Sequence, residues 1–218
     1  MSNTPTLTLE QIEFYAENGY LVVSGLIPDE VSAAAEAMAT AAVTQQAAGS
    51  TNLHMDEQPI IKCYNPTLLA AAAQLGGGDP ASYHPPQRAF LINTFPSTDA
   101  WKWPNPHIDH AIKDHGHKTF PYPFRLASML FLNDVAPHGG GTIVWPGSHK
   151  QIARLAESDP EKYEMMWVLN LALDQAGLNE PIELTPKRGD ILFYHCLCAH
   201  SGSQNTSHRI RLGINQKW

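Results

Sequence analysis

Cysteine is scarce in this sequence: Cys63, Cys196 and Cys198 are the three among 218 residues. An odd, irregularly spaced set excludes a disulfide framework and fits a reducing compartment, so a cytoplasmic location is expected. Long apolar runs are missing too. None approaches the roughly 20 residues that a membrane-spanning helix needs, and we expect no membrane partner. The first residues, MSNTPTLTLEQIEFYAENG, contain neither a basic stretch nor an apolar one, so a secretory leader is not expected. Positive charge is also short. Fourteen lysines and arginines face 21 acids, for a net charge of −7 with histidine neutral. That balance lacks the basic footprint of a nucleic-acid binder.

What is present suits one globular domain, residues 1–218, with a hydrophobic fraction of 43%. Residues 1–80 read as mostly helical. Thr8 and Gln11 form a capping-box pattern, Gly19 supplies a left-handed stop, and YLVV then reads as a short strand. Pro28, Asp29 and Glu30 suit the first turn of a second helix, which should run to about Gly49. Asn65 and Pro66 open a third. From Gln87 onward the texture becomes short apolar runs punctuated by Pro, Gly, Asn and Asp. The expected strands are QRAFLINTF, RLASMLFLNDV, GGTIVWPG, PIELTP, DILFYHCLC and RIRLGINQKW, with a helical insert over about 149–177. Many short strands separated by turn signals predict a sandwich or small barrel carrying an N-terminal helical layer.

Four of the eleven histidines fall in NPHIDHAIKDHGH, residues 105–117. In an extended segment residues i and i+2 share a face, so His107 and Asp109 aim at one point while Ile108 turns to the core. A late strand can add His200, from FYHCLCAHSGS. Two imidazoles and one carboxylate form a set suited to non-haem Fe(II) with open positions. A zinc hydrolase would recruit His110 as a further ligand beside activated water. His115 and His117 read as solvated residues of a turn. Cys196, Cys198 and His200 alternate as C-x-C-x-H, for which buried core thiols are the plainer reading than a thiolate site. Ser148 suits a helix cap beside His149. Trp101 and Trp103, in a proline-rich loop, are equally suited to a pocket wall and to packing under the loop.

Several stretches, in order, extend this reading: FYAENGYLVVSGLIPDEV, the HID preceded by its proline-rich loop, LNDVAPHGGGTIVWPGSHK, and RGDILFYHCLCAHSGSQNTSHRIRLGI. Through them the chain resembles the phytanoyl-CoA dioxygenase-like family of Fe(II)/2-oxoglutarate oxygenases, over nearly its whole length. The resemblance implies a mainly β fold with flanking helices, a double-stranded β-helix (jelly-roll, cupin-like) core. It implies Fe(II) on His107, Asp109 and His200, with 2-oxoglutarate and O2 as cosubstrates and succinate and CO2 released. The family's arginine lies eleven residues after the distal histidine, which selects Arg211 over Arg209 for the far carboxylate of 2-oxoglutarate. Asn205 also falls where the family places an asparagine, whereas Met129 stands where some members have tryptophan. Thr142 and Ser203 are candidates for further hydrogen bonds to the cosubstrate.

The expectation is therefore a dioxygenase that acts on a small-molecule substrate; Asp109 leaves no iron position for a halide, which favours hydroxylation or a relative such as desaturation or epimerisation. The loop from Pro96 to Phe124 should help form its substrate entrance. The rivals are the zinc hydrolase and a jelly-roll binding module without turnover. No residue in the sequence fixes the substrate or the oligomeric state.

Overall fold

The computed structural model describes residues 6–45 and 52–218. The N-terminal layer begins with helix α1, Leu9–Asn18, whose capping box is complete: the Gln11 amide donates to Thr8 Oγ1 at 3.2 Å and the Thr8 amide to Gln11 Oε1 at 2.9 Å. Gly19 ends it at φ 75°, and a Cβ there would meet the His149 imidazole at 2.3 Å. Strand β1 is Tyr20–Val23 and helix α2 is Asp29–Thr44. The expected last turn of α2, up to Gly49, lies outside the described residues. Strand β2, Asn52–Met55, and the short helix α3, Gln58–Ile61, follow. Helix α4, Pro66–Gly76, is capped by Asn65, whose side chain accepts from the Leu68 amide at 2.9 Å.

The β region supplies β3 (Ala89–Thr94), β4 (Leu126–Phe131), β5 (Thr142–Val144), β6 (Ile182–Glu183), β7 (Ile191–His195), β8 (His200–Gly202) and β9 (Arg211–Lys217). They form a six-stranded sheet, β1-β7-β4-β9-β3-β2, and a three-stranded sheet, β6-β5-β8, antiparallel throughout. The arrangement is that of a jelly roll with two facing sheets, not a closed barrel.

Strict alternation divides the large sheet between two cores. Leu91, Leu130, Phe193 and Ile214 join Ala35, Ala39 and Leu68 of the helical layer. Their neighbours Phe131 and Leu192 face the other way, toward Ile143, Val144 and Ile108. A period of two over strands buried on both faces produces this split. Each fully buried leucine or phenylalanine contributes about 1.5–3 kcal/mol. The alanine content of α2 and α4 suits both helix propensity and close approach to the sheet.

Three local features differ from the sequence reading. The helical insert is broken into α5, Ser148–Ser158, and α6, Met166–Leu171, followed by a 3₁₀ turn at Leu173–Ala176. Strand β7 stops at His195 because its carbonyl accepts from the Cys198 amide at 2.8 Å and its Nδ1 from the Leu197 amide at 3.1 Å. The chain then crosses to the smaller sheet, so Cys196, Cys198 and His200 do not share one strand face. Ser148 is the first residue of α5 instead of its cap, and its hydroxyl accepts from the Ala199 amide at 2.9 Å. It anchors the crossing that delivers His200.

Candidate active site

The site is built where β8 meets the histidine-rich loop. His107 and His200 exchange backbone hydrogen bonds, amide to carbonyl in both directions at 3.0 Å, so the H-x-D segment adds one antiparallel bridge to the edge of the small sheet. That bridge preserves the alternation read from the sequence. Ile108 is buried, and its amide donates to Asn170 Oδ1 at 2.8 Å. His107 and Asp109 flank it and converge with His200. One donor atom from each of the three lies within 4.8 Å of the others.

The protonation states suit ligation. His107 is pushed down to about 4 by burial, and then by the neighbouring His200, so its imidazole is neutral with a lone pair free at neutral pH. The Cys198 carbonyl lies 2.9 Å from His200 Nδ1 and accepts from it. This fixes the tautomer that leaves Nε2 free, 3.7 Å from Asp109 Oδ2. Burial opposes the charge on Asp109, but His200 and Lys217 outweigh it and hold the carboxyl below its ordinary value. Asp109 Oδ2 also accepts from the Tyr194 hydroxyl at 3.1 Å, and that hydroxyl accepts from Asn215 Nδ2 at 3.0 Å. Burial raises Tyr194 well above the ordinary phenol value, so it stays a donor.

These groups line a cavity of about 230 Å³ between the two sheets. Arg211 lies on its wall, 4% exposed, with Nε donating to the Gly140 carbonyl at 2.9 Å and Nη1 to the Ile92 carbonyl at 3.1 Å. Burial lowers it to about 10, which still leaves it charged at neutral pH. Among the described residues no carboxylate pairs with it. Gly213 makes room for this guanidinium: a Cβ there would lie 2.8 Å from Met129 Sδ and 3.0 Å from Arg211 Nη1. Arg209, by contrast, is exposed and meets Glu36 at 3.4 Å.

The other sequence candidates are distributed unevenly. Thr142 and Met129 line the cavity. Ser203 does not; its hydroxyl turns to Glu183 at 3.5 Å, and Ser201 takes the place on the wall. Asn205 holds the loop before β9 through the carbonyls of Thr94 and Arg209 at 2.9 and 2.7 Å. His110 leaves the cluster: its φ is 59° and its ring packs on His117 at 4.4 Å and Phe124 at 4.9 Å. The further ligand of a zinc hydrolase is therefore not in place. Burial pushes Cys196 and Cys198 up to about 12, which excludes resting thiolates. Trp101 stacks on His138 at 4.1 Å with Trp103 edge-on at 4.9 Å, and neither lines the cavity. Tyr194, Asn215 and Lys217 do line it, and sequence reasoning passed over all three. Continuing the two-residue alternation from Arg211 along RIRLGINQKW points to Asn215 and Lys217.

A model of the phytanoyl-CoA dioxygenase (PhyH) family matches residues 15–213. The chain belongs to the phytanoyl-CoA dioxygenase family. Among its curated relatives is the human peroxisomal phytanoyl-CoA dioxygenase, 23% identical over 245 residues, spanning 96% of this chain and 67% of the human protein. The non-heme α-ketoglutarate-dependent carbocyclase SnoK of nogalamycin biosynthesis superposes with a TM-score of 0.65 at 19% identity, covering 99% of this chain and 85% of SnoK. The epimerase SnoN, solved with Fe3+, α-ketoglutarate and nogalamycin RO, gives 0.64 at 18% identity, covering 94% and 80%. As a member of the phytanoyl-CoA dioxygenase family this chain is an Fe(II)- and 2-oxoglutarate-dependent oxygenase. Its residues fit both cofactors. The converging His–Asp–His donors suit the iron, and the buried, uncompensated Arg211 suits a carboxylate.

Proposed function

We propose that this oxygenase hydroxylates a small molecule, with His107, Asp109 and His200 as the iron ligands and Arg211 as the anchor for the far carboxylate of 2-oxoglutarate. One observation carries the reading: a cavity of about 230 Å³ holds a converging two-histidine, one-carboxylate set and a buried arginine that lacks an acidic partner. Held by these residues, Fe(II) with 2-oxoglutarate and O2 would supply the oxidising power for hydroxylation of a C–H bond, with succinate and CO2 as coproducts.

The residues of this chain bind, orient and exclude. His107 offers a neutral imidazole nitrogen and His200 its Nε2, fixed by their mutual backbone bridge and, for His200, by the Cys198 carbonyl. Asp109 supplies the anionic donor, and Tyr194 directs its Oδ2. Arg211 offers a planar fork that takes a carboxylate through paired hydrogen bonds, and the Thr142 hydroxyl lies on the same cavity wall. Apolar wall residues, Phe90, Ile92 and Met129, keep water from the reacting carbon. Asp109 supports hydroxylation over halogenation, because a carboxylate occupies the position a halide would need. The loop from Pro96 to Phe124 carries the ligand pair and, with its exposed Trp103, Phe120 and Tyr122, is the proposed substrate entrance. Three free, buried cysteines support a reducing compartment, which we read as the cytoplasm.

Anaerobic addition of Fe(II) and then 2-oxoglutarate should produce the charge-transfer absorption of an iron–2-oxoglutarate complex. His200→Ala should abolish it. Persistence of the band in His200→Ala would remove that residue from the ligand set.

A further inference from the structure

The cavity contains two cations at opposite ends. Arg211 and Lys217 begin and end β9, six residues apart on the same face, so their backbones stand about 20 Å from each other. Arg211 is at the floor and buried. The Lys217 side chain, 27% exposed, is at the mouth, where its ammonium meets Asp109 Oδ2 at 3.2 Å and sits 5.6 Å from the centre of the Phe124 ring. Asp109 of the donor cluster is thus the direct partner of the ammonium.

Charge counting gives this placement its meaning. The cavity wall carries one carboxylate, Asp109, and two cations, Arg211 and Lys217. Metal-bound imidazoles are neutral. A divalent ion adds two positive charges and the dianionic cosubstrate removes two, with its far carboxylate on Arg211. One positive charge is left over. It belongs to Lys217, because Asp109, its carboxylate partner, becomes shared with the metal. An ammonium beside a divalent cation, half desolvated and against an aromatic ring, is completed by an anion arriving from the mouth.

Resting on the oxygenase reading above, we infer that Lys217 is a specificity-determining residue, and that the substrate carries an anionic group, of the carboxylate type, which its ammonium holds at the mouth. The rest of the substrate then extends inward, past Phe124 and toward the donor cluster. The substrate class is an organic acid with an oxidisable carbon a short distance from its charge.

The test uses the anaerobic Fe(II)·2-oxoglutarate complex of the whole chain and reads the shift of its charge-transfer band when a substrate-like molecule binds in the cavity. The probes are matched acids and primary amides: octanoate and octanamide, phenylacetate and phenylacetamide, N-acetylleucine and its amide. Acids should shift the band at concentrations at least about tenfold below their amides. Lys217→Met should erase that preference and Lys217→Arg should keep it, with the unperturbed band intact in both. Equal response to acid and amide overturns the proposal, as does a preference that survives Lys217→Met. So does silence of every acid up to about 10 mM, the weakest binding one ion pair would leave. Loss of the band itself in Lys217→Met assigns the lysine to Asp109 instead of the substrate. A parent protein with no band at all defeats the oxygenase reading first, a result distinct from the others.

Discussion

The stretch from His107 to His117 has two halves with opposite fates. In the first, the backbone is held extended against β8, so His107 and Asp109 keep a common face and meet His200. In the second, the chain turns over at His110, with φ 59°, and extended geometry ends. The three histidines that follow pack on one another: His110 on His117 at 4.4 Å, and His115 edge-on to His117 at 5.9 Å. On the proposed reading the same residue type is a ligand in one half and filler in the other. Histidine density is not what makes a ligand; a strand partner that fixes side-chain direction is.

The largest effect should break this comparison cleanly. His200→Ala should lower iron affinity by more than the roughly 100-fold that loss of an outer partner brings, because it removes a donor outright. His115→Ala and His117→Ala should bind iron as the parent does. Competition with a chromophoric chelator reads all three. Equal losses in His117→Ala and His200→Ala would erase the distinction between the halves.

The two arginines of β9 and its approach repeat the contrast. Arg211 is buried without a counter-ion, whereas Arg209 is exposed on Glu36. On the proposed anchor role, Arg211→Ala should strand the buried far carboxylate of 2-oxoglutarate at a cost of about 3–5 kcal/mol, a fall in cosubstrate affinity of roughly two to four orders of magnitude. Arg211→Lys should recover part, since an ammonium keeps the charge without the fork. Arg209→Ala should change affinity by less than about 1 kcal/mol. Titration of the charge-transfer band measures each variant, and an exchange of the two outcomes would reverse the assignment.

How much of this was legible follows from how far local rules reach. The capping box at Thr8, the stop at Gly19 and the Asn65 cap depend on neighbours a few residues away, and each appears where the sequence puts it. So does the alternation of His107 and Asp109. What the sequence hid depends on distant partners. The end of β7 is set by a turn locked to Ser148, fifty-one residues from Ala199, so C-x-C-x-H looked like one strand. β2 is four mixed residues, NLHM, that become a strand only by pairing with β3. Ser203 and Ser201 are equivalent in composition, and only the crossing to the small sheet decides that Ser201 faces the cavity. Lys217 and Asn215 were within reach of the period-two argument, had it been carried past Arg211.

A histidine outside both halves sharpens the comparison in another way. His195 ends β7, and burial pushes it down to about 4, with His149 adding to the effect. Its Nδ1 accepts from the Leu197 amide at 3.1 Å, a bond only the neutral ring can make. The unfolded chain takes up this proton near pH 6.5, and the folded chain only near pH 4. The stability it contributes is therefore fully present above pH 6.5 and is lost as pH falls through that window. Integrated, the loss is about 3 kcal/mol. Urea midpoints taken from pH 7 to pH 4 should fall for the parent and fall less for His195→Gln. An equal slope in the two proteins would show that other groups carry the acid sensitivity.

The smallest effect concerns what keeps the ligating half in order. Tyr194 donates to Asp109 Oδ2 at 3.1 Å while accepting from Asn215, which is itself tied to the Ser128 carbonyl at 3.0 Å. The chain of contacts runs from the centre of the large sheet to the carboxylate, so the hydroxyl orients Asp109 without touching the metal position. Tyr194→Phe keeps the ring and its packing on His200, 4.6 Å away, and removes only that hydrogen bond. The backbone bridge between His107 and His200 still holds the segment that carries Asp109, which limits the damage. Iron affinity should therefore fall by about tenfold, the low end for an outer partner, and folding stability by about 1 kcal/mol. Asn215→Ala should have a weaker effect on iron, because Tyr194 keeps its bond to Asp109. Chelator competition on both variants at one pH separates the cases. If Tyr194→Phe holds iron as tightly as the parent, the bridge to β8 alone aligns Asp109, and the large sheet contributes only walls to the site.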